Sequence, residues 1–152
     1  MPNPHIIRYK WRREFVGSMD EAFATARWLD DIAAQQRLSG RVVFAAQLCL
    51  EEILTNIVRH SGKTEPHVAV EVDHTGDRLQ LTIEDDGKPF DVTSYPRRPV
   101  ERDLETVEPG GLGLHLLQHF ASQLEYSRSK DHNRVTAVFC TVAERTSQHL
   151  PS

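Results

Sequence analysis

The order of periodic segments along the chain predicts an α+β fold. We expect a two-layer sandwich, in which three main helices cover one face of a mostly antiparallel mixed sheet. Two observations support this. Apolar residues recur at helical spacing in two segments before residue 61, and they alternate with polar residues in two pairs of segments after it. The 152 residues suffice for one sizeable core, so we expect a single domain over 1–152.

The first part of the chain predicts a strand followed by two helices. Residues 5–15 mix β-branched, aromatic and basic side chains, which is typical of an edge strand. Ser18 or Asp20 can cap the first helix, whose apolar spacing continues to about residue 40. The second helix, residues 41–60, is apolar almost all round, which predicts that its neighbours cover most of it.

The remainder of the chain predicts two hairpins separated by a loop and a third helix. Residues 67–85 alternate apolar and polar side chains around a break at 74–77. Residues 92–109 are rich in proline and charge, which is typical of a functional loop. The third helix follows the glycines at 110–113, and residues 124–143 predict the second hairpin.

Composition and charge exclude several classes of function. Lys and Arg number 18 against 22 Asp and Glu, a net charge of −4, so we expect no direct nucleic-acid partner. No apolar stretch is long enough to span a membrane, and the opening residues lack the apolar centre of a signal peptide, which predicts a cytoplasmic protein without membrane contacts. Cys49 and Cys140 lie apart in apolar surroundings, so we expect two buried, reduced thiols.

Two polar residues, Glu52 and Asn56, interrupt the nearly all-apolar second helix. Because they are four residues apart, they share one face of the helix. One interpretation is a hydrogen-bonded pair at a partly exposed edge. The other is a pair of oxygen groups facing a cavity, with Asn56 on a hard cation such as Mg²⁺ and Glu52 as a general base. Glu51 competes for the second role, but only Glu52 stands four residues before Asn56.

Two glycine-containing segments complete the candidate site. Asp85, Asp86 and Gly87 end a predicted strand; such a cluster is typical of a turn, but a carboxylate there can also accept a hydrogen bond from an exocyclic amine such as that of adenine. Residues 110–114 precede a helix, where free backbone N–H groups can bind an anion. They form neither a Walker loop nor a dinucleotide fingerprint.

The order of three motifs is more specific than any one of them. LCLEEILTNIVRHS, IEDDGKPFD and GGLGLHLL, separated by a hairpin and a charged loop, resemble the ATP-binding fold shared by gyrases, heat-shock chaperones, histidine kinases and mismatch-repair ATPases, known as the GHKL or Bergerat fold. The short domain and the Lys-Pro-Phe-Asp ending are similar to the anti-sigma-factor serine/threonine kinases of the RsbW type. The resemblance covers about residues 10–143.

The resemblance implies a role for each candidate residue. Glu52 would be the catalytic base, and Asn56 would hold the Mg²⁺ that bridges the ATP phosphates. Asp85 would bind the adenine amino group, and Gly87 would shape the adenine pocket. Residues 92–109 would form the ATP lid. The other nucleotide-binding residues would be those at the start of the third helix and a polar residue of the last strand: Gly111, Leu112, Gly113, Leu114 and Thr136.

Three functions remain open at this point. The first, implied by the resemblance, is a kinase that phosphorylates a STAS-domain antagonist protein, sequesters a sigma factor by partner switching and forms a homodimer through its first strand and helix. The second is a catalytically weak, nucleotide-gated binding module of the same fold, which Pro89 and the unusual lid leave open. The third is an ATP hydrolase. Relatives of that kind rely on a following domain, whereas this chain ends within ten residues of its last predicted strand.

Overall fold

The computed structural model of the chain describes residues 6–94 and 111–141. Its elements, in chain order, are β1 (Arg8–Val16), α1 (Met19–Gln35), α2 (Gly40–His60), β2 (His67–Thr75), β3 (Arg78–Asp85), a 3₁₀ turn (Val92–Ser94), α3 (Gly111–Phe120), β4 (Gln123–Ser129) and β5 (His132–Cys140). The predicted order of strands and helices is therefore confirmed over these residues.

The five described strands form one sheet in the order β1-β2-β3-β5-β4. Strands β2 and β3 form one hairpin, β4 and β5 form the other, and β5 joins the two by pairing with β3. All four ladders between these strands are antiparallel, so the described sheet is more regular than the mixed sheet that the sequence predicts. The α+β sandwich is confirmed, and β1 lies at an edge as predicted.

Serine residues begin the first two helices. Ser18 caps α1 by accepting a hydrogen bond from the Glu21 backbone N–H at 3.1 Å, and Ser39 caps α2 in the same way. Helix α1 ends at Gln35, several residues before its apolar spacing does. Helix α3 begins at Gly111, so Gly111 and Gly113 lie inside its first turn rather than in a preceding loop.

The core lies between the helices and one face of the sheet. Its fully buried side chains come from both layers and include Leu29, Leu50, Val70, Val72, Leu81, Leu117 and Phe139. Helix α2 is covered less completely than its sequence predicts, because Phe44 is 58% exposed and packs edge to face against Phe120 at 6.0 Å.

The opposite face of the sheet carries polar side chains. Ion pairs cross neighbouring strands there, for example Arg134 with Glu84 at 2.7 Å. Cys140 ends β5 and is exposed, so the expectation of two buried thiols is wrong for this residue and confirmed for Cys49. None of the helices in residues 6–94 and 111–141 is long and apolar enough to cross a membrane.

Candidate active site

A narrow cleft, open to solvent, lies where the C-terminal half of α2 meets the end of β3 and the start of β5. Apolar side chains and a few polar groups line it together, a combination typical of small-molecule sites. Helix α2 contributes Asn56 and His60, the end of β3 contributes Asp85, and β5 contributes Asn133. The remaining lining residues are Ile53, Ile57, Ser61, Lys88, Phe90, Val92 and Val135.

Asp85 is the carboxylate of this cleft and is only 7% exposed. Its Oδ2 atom accepts hydrogen bonds from the Gly87 backbone N–H at 3.0 Å and from Asn133 Nδ2 at 3.2 Å. Burial raises the pKa of Asp85, and these two donors oppose that rise by stabilising the ionised form. Oδ1 makes no hydrogen bond with the described residues, which leaves it available as an acceptor for a ligand.

Gly87 allows the turn after β3 to close against the end of α2. A Cβ atom at this position would stand 2.7 Å from the Ser61 Cβ and 2.8 Å from Asp85 Oδ2, which is too close for any real side chain. The next backbone N–H, that of Lys88, donates to the Ser61 carbonyl at 2.9 Å. A turn with a side chain at position 87 would therefore have to move away from both Ser61 and Asp85.

Glu52 lies one helical turn before Asn56, where α2 meets the first turn of α3. Burial raises the pKa of Glu52, the neighbouring Glu51 charge raises it further, and Arg59 opposes both. A Cβ atom on Gly113 would overlap the Glu52 carboxyl group. Glycine at 113 thus lets the start of α3 lie directly on this carboxylate.

Asn56 carries an amide that the described residues leave unsatisfied. Its Nδ2 atom is buried and has no hydrogen-bond partner among them, and it makes no hydrogen bond with Glu52. The interpretation of Glu52 and Asn56 as a mutually bonded pair is therefore wrong. A buried N–H donor without a partner costs free energy, which favours a ligand that accepts a hydrogen bond from it. The oxygen of the same amide is a ligand type that Mg²⁺ accepts, so Asn56 is compatible with this ion.

The comparisons with known proteins agree with this architecture. A family model described as a histidine kinase-like ATPase domain matches residues 18–139, which span α1 to β5. This chain belongs to that family. The match includes Asn56 and Asp85, which line the cleft, and Glu52 and Gly113, which meet where α2 and α3 pack together.

The relatives of this ATPase domain include protein kinases. Serine/threonine-protein kinase BtrW of Bordetella bronchiseptica is 36% identical over 111 residues, which cover 72% of this chain and 78% of BtrW. Serine-protein kinase RsbW of Listeria innocua is 28% identical over 96 residues, covering 59% of this chain and 61% of RsbW. The chain is thus homologous to both, although the matched region is less than two thirds of RsbW.

A solved structure has the same fold. The crystal structure of the RsbU and RsbW domains of a Mycobacterium tuberculosis protein superposes with a TM-score of 0.60 at 11% identity. The match covers 87% of this chain and 32% of the solved one, so the chain spans about a third of that protein's crystallised length. At this identity the likeness establishes the fold of the ATPase domain.

The ATPase domain brings most of the predicted site residues together, with one exception. Asn56 and Asp85 line the cleft, Gly87 lies against Asp85, and Gly113 lies against Glu52. Gly111 and Leu112 lie in the first turn of α3, and the Leu114 side chain is buried in the core, so only backbone groups of Leu114 can contact a ligand. The predicted lid falls mainly on residues 95–109, outside the described ones.

Thr136 is the exception, and its predicted place near the adenine is corrected. In the β3–β5 ladder Thr136 stands opposite Thr82, on the face turned away from the helices. Its neighbours Val135 and Ala137 point into the core, because side chains alternate across a strand. The cleft receives Val135 from this part of β5 instead.

Sequence reasoning missed Asn133, which is only 3% exposed. It lies opposite Asp85 in the β3–β5 register and bonds to it directly. The signal was present in the sequence: an asparagine occupies a position that shares the inward phase of Val135 and Ala137, where an apolar residue is expected. A buried amide at such a position requires specific partners.

Proposed function

We propose that this chain is a Mg-ATP-dependent protein serine/threonine kinase. The observation that carries the proposal is the placement of Glu52, a carboxylate whose pKa is raised by burial, one helical turn from the unsatisfied amide of Asn56. A general base with a pKa tuned toward neutrality is suited to take a proton from a hydroxyl. The kinase names of BtrW and RsbW support the same conclusion.

Binding of the nucleotide would use the cleft and the start of α3. Asp85 Oδ1 would accept a hydrogen bond from the adenine amino group, and Gly87 would leave room for the ring. The first turn of α3, from Gly111 to Leu114, offers backbone N–H groups that suit phosphate oxygens. Asn56 would hold Mg²⁺, which, when bound, supplies positive charge against the phosphates.

In the transfer step Glu52 would accept the proton of the acceptor hydroxyl. The hydroxyl oxygen forms a bond to the γ-phosphorus, the bond to the β–γ bridging oxygen breaks, and ADP leaves with that electron pair. The close approach of Gly113 to Glu52 would keep the base next to the start of α3, where the phosphates would bind. Base and phosphate would therefore be positioned by the same junction of α2 and α3.

The proposal for the protein partners is supported by the resemblance to anti-sigma-factor kinases. We propose that the phosphate acceptor is a STAS-domain antagonist protein and that the same chain sequesters a sigma factor, so that phosphorylation switches partners. A homodimer through β1 and α1 fits this scheme. Strand β1 has a free edge among the described strands; Ile7 and Tyr9 at its start, and Phe23 on α1, are exposed.

The decisive experiment incubates the protein with γ-labelled Mg-ATP and candidate STAS-domain proteins from the same genome. We expect wild type and Glu51→Gln to label an acceptor, and Glu52→Gln to label none, because only Glu52 lies against Gly113. Label transfer by Glu52→Gln would contradict the catalytic assignment. Nucleotide-dependent partner binding without transfer would favour the binding module, and rapid partner-independent hydrolysis would favour the ATP hydrolase.

A further inference from the structure

Asn133 connects the carboxylate of the cleft to strands β4 and β5. We propose that Asn133 is a positioning residue: it fixes Asp85 as a hydrogen-bond acceptor and thereby sets the preference of the cleft for a base with an exocyclic amine over one with a carbonyl at the same place. The inference rests on the proposed function, because it concerns how the nucleotide site selects its base.

Both polar atoms of the Asn133 side chain have partners: Nδ2 acts as a donor and Oδ1 as an acceptor. Its Nδ2 donates to Asp85 Oδ2 at 3.2 Å and to the Lys88 carbonyl at 2.9 Å. Its Oδ1 accepts from the Tyr126 hydroxyl at 2.6 Å and from Arg128 Nη1 at 3.0 Å. Rotating the amide by half a turn would set its oxygen against two acceptors and its nitrogen against the Arg128 guanidinium, which can only donate, so the network determines the orientation.

This orientation decides which oxygen of Asp85 meets a ligand. Oδ2 already receives two N–H groups, from Gly87 and Asn133, and a proton on Oδ2 would displace one of them. Oδ1 remains the acceptor toward the cleft. An adenine amino group can donate to it, whereas the O6 carbonyl of hypoxanthine or guanine would be repelled by the carboxylate.

The side chains that bond to Asn133 also stabilise the turn that follows Asp85. Arg128 Nη1 donates to the Gly87 carbonyl at 2.9 Å as well as to Asn133 Oδ1. Side chains from β4 and β5 therefore fix both the base-reading carboxylate and the backbone beside it. A site held through such supporting contacts discriminates better than one free to rearrange.

The groups around Asp85 also influence whether its carboxyl group is protonated. Burial and the Asp86 charge raise its pKa, while Asn133, Gly87 and Arg128 lower it. His60 from α2 and Lys88 from the turn also line the cleft. Removing the Asn133 donor therefore raises the pKa of Asp85 further, and the acceptor is lost at a higher pH than in wild type.

The test compares ADP with IDP, which carries a carbonyl in place of the amine, by calorimetry between pH 5.5 and 8. Because both nucleotides carry the same diphosphate, phosphate protonation affects both affinities equally, and its effect cancels in their ratio. We expect Asn133→Leu, which removes every hydrogen bond at similar size, to weaken ADP binding about tenfold or more while changing IDP binding little. The pH at which ADP affinity falls should move upward.

A second variant guards against misfolding of Asn133→Leu. Tyr126→Phe combined with Arg128→Ala leaves Asn133 in place but removes both donors to its Oδ1, so the amide is free to turn away from Asp85. We expect a smaller change of the ADP-to-IDP ratio in the same direction.

An equal loss of ADP and IDP affinity with an unmoved pH midpoint would overturn the inference, since a merely structural role predicts that result. An unchanged ratio in the variants would overturn it as well. A wild-type protein that binds neither nucleotide would overturn the proposed function, and this inference with it.

Discussion

The α carbon of Gly113 faces Glu52 so closely that a Cβ atom at position 113 would overlap the Cδ and Oε1 atoms of the carboxyl group. The two residues are 61 positions apart in sequence numbering (113 − 52) and meet only because α3 begins against α2. Glycine costs a helix free energy relative to alanine. The contact with Glu52 gives a reason for a glycine inside the first turn of α3.

Gly113→Ala should therefore lower phosphotransfer activity without lowering the stability of the fold. Alanine favours helix by up to about 1 kcal/mol, but here its methyl group displaces Glu52 from the junction. We expect phosphotransfer to fall at least tenfold while the protein remains folded, measured by labelled transfer and by circular dichroism.

Gly40→Ala is the matched control, because a Cβ atom on Gly40 would meet nothing within 4 Å. This variant should keep full activity with equal or slightly higher stability. Unchanged transfer by Gly113→Ala would mean that Glu52 does not need its present position.

Glu52→Gln should stabilise the fold near neutral pH while it abolishes transfer. The pKa of Glu52 is raised in the folded state, so the folded protein binds more protons than the unfolded chain between the two pKa values. The stability of wild type therefore falls as pH rises through the raised pKa, and glutamine removes that loss.

Thermal unfolding between pH 4 and pH 8 checks this sign. The melting temperatures of wild type and Glu52→Gln should approach each other near the unfolded carboxyl pKa of about 4.3 and separate above it, with the variant higher. A variant that melts lower than wild type at pH 8 would show that Glu52 is not penalised by burial.

The charges beside Glu52 should set the acid limb of the pH–rate profile. Glu51 raises the pKa of Glu52 and Arg59 lowers it. We expect Glu51→Gln to move the acid limb of kcat/KM to lower pH, and Arg59→Gln to move it to higher pH. If both variants shifted the limb in the same direction, or if neither shifted it, another group would control this limb.

The sequence predicts the parts of the site that depend only on the periodicity of a single helix or strand. Glu52 and Asn56 share a helical face because of their spacing, and Asp85 is recognisable because an alternating strand ends there. These relations need only the pitch of a helix or strand. The fold follows from the same periodicities, together with the hairpin breaks.

The features that the sequence does not predict are contacts between distant segments and the face of the sheet on which a strand residue lies. The bond between Asn133 and Asp85 spans 48 positions and depends on how β5 registers against β3, which the local pattern does not specify. The resemblance implies that Thr136 lies near the adenine, whereas the phase of β5 turns it away from the helices; a shift of one residue along a strand reverses the face of every side chain. The inward phase of β5 is shared by Asn133, Val135 and Ala137.

Thr136→Val should leave nucleotide binding unchanged, because Thr136 lies on the far face of the sheet beside Thr82. Val135→Ala should weaken ADP binding a few-fold, because Val135 lines the cleft and its methyl groups would pack against the bound ligand. Calorimetry with ADP measures both. The two substitutions are adjacent in sequence, so the contrast tests the phase of β5 directly: weaker ADP binding by Thr136→Val than by Val135→Ala would place the opposite face of this strand at the nucleotide.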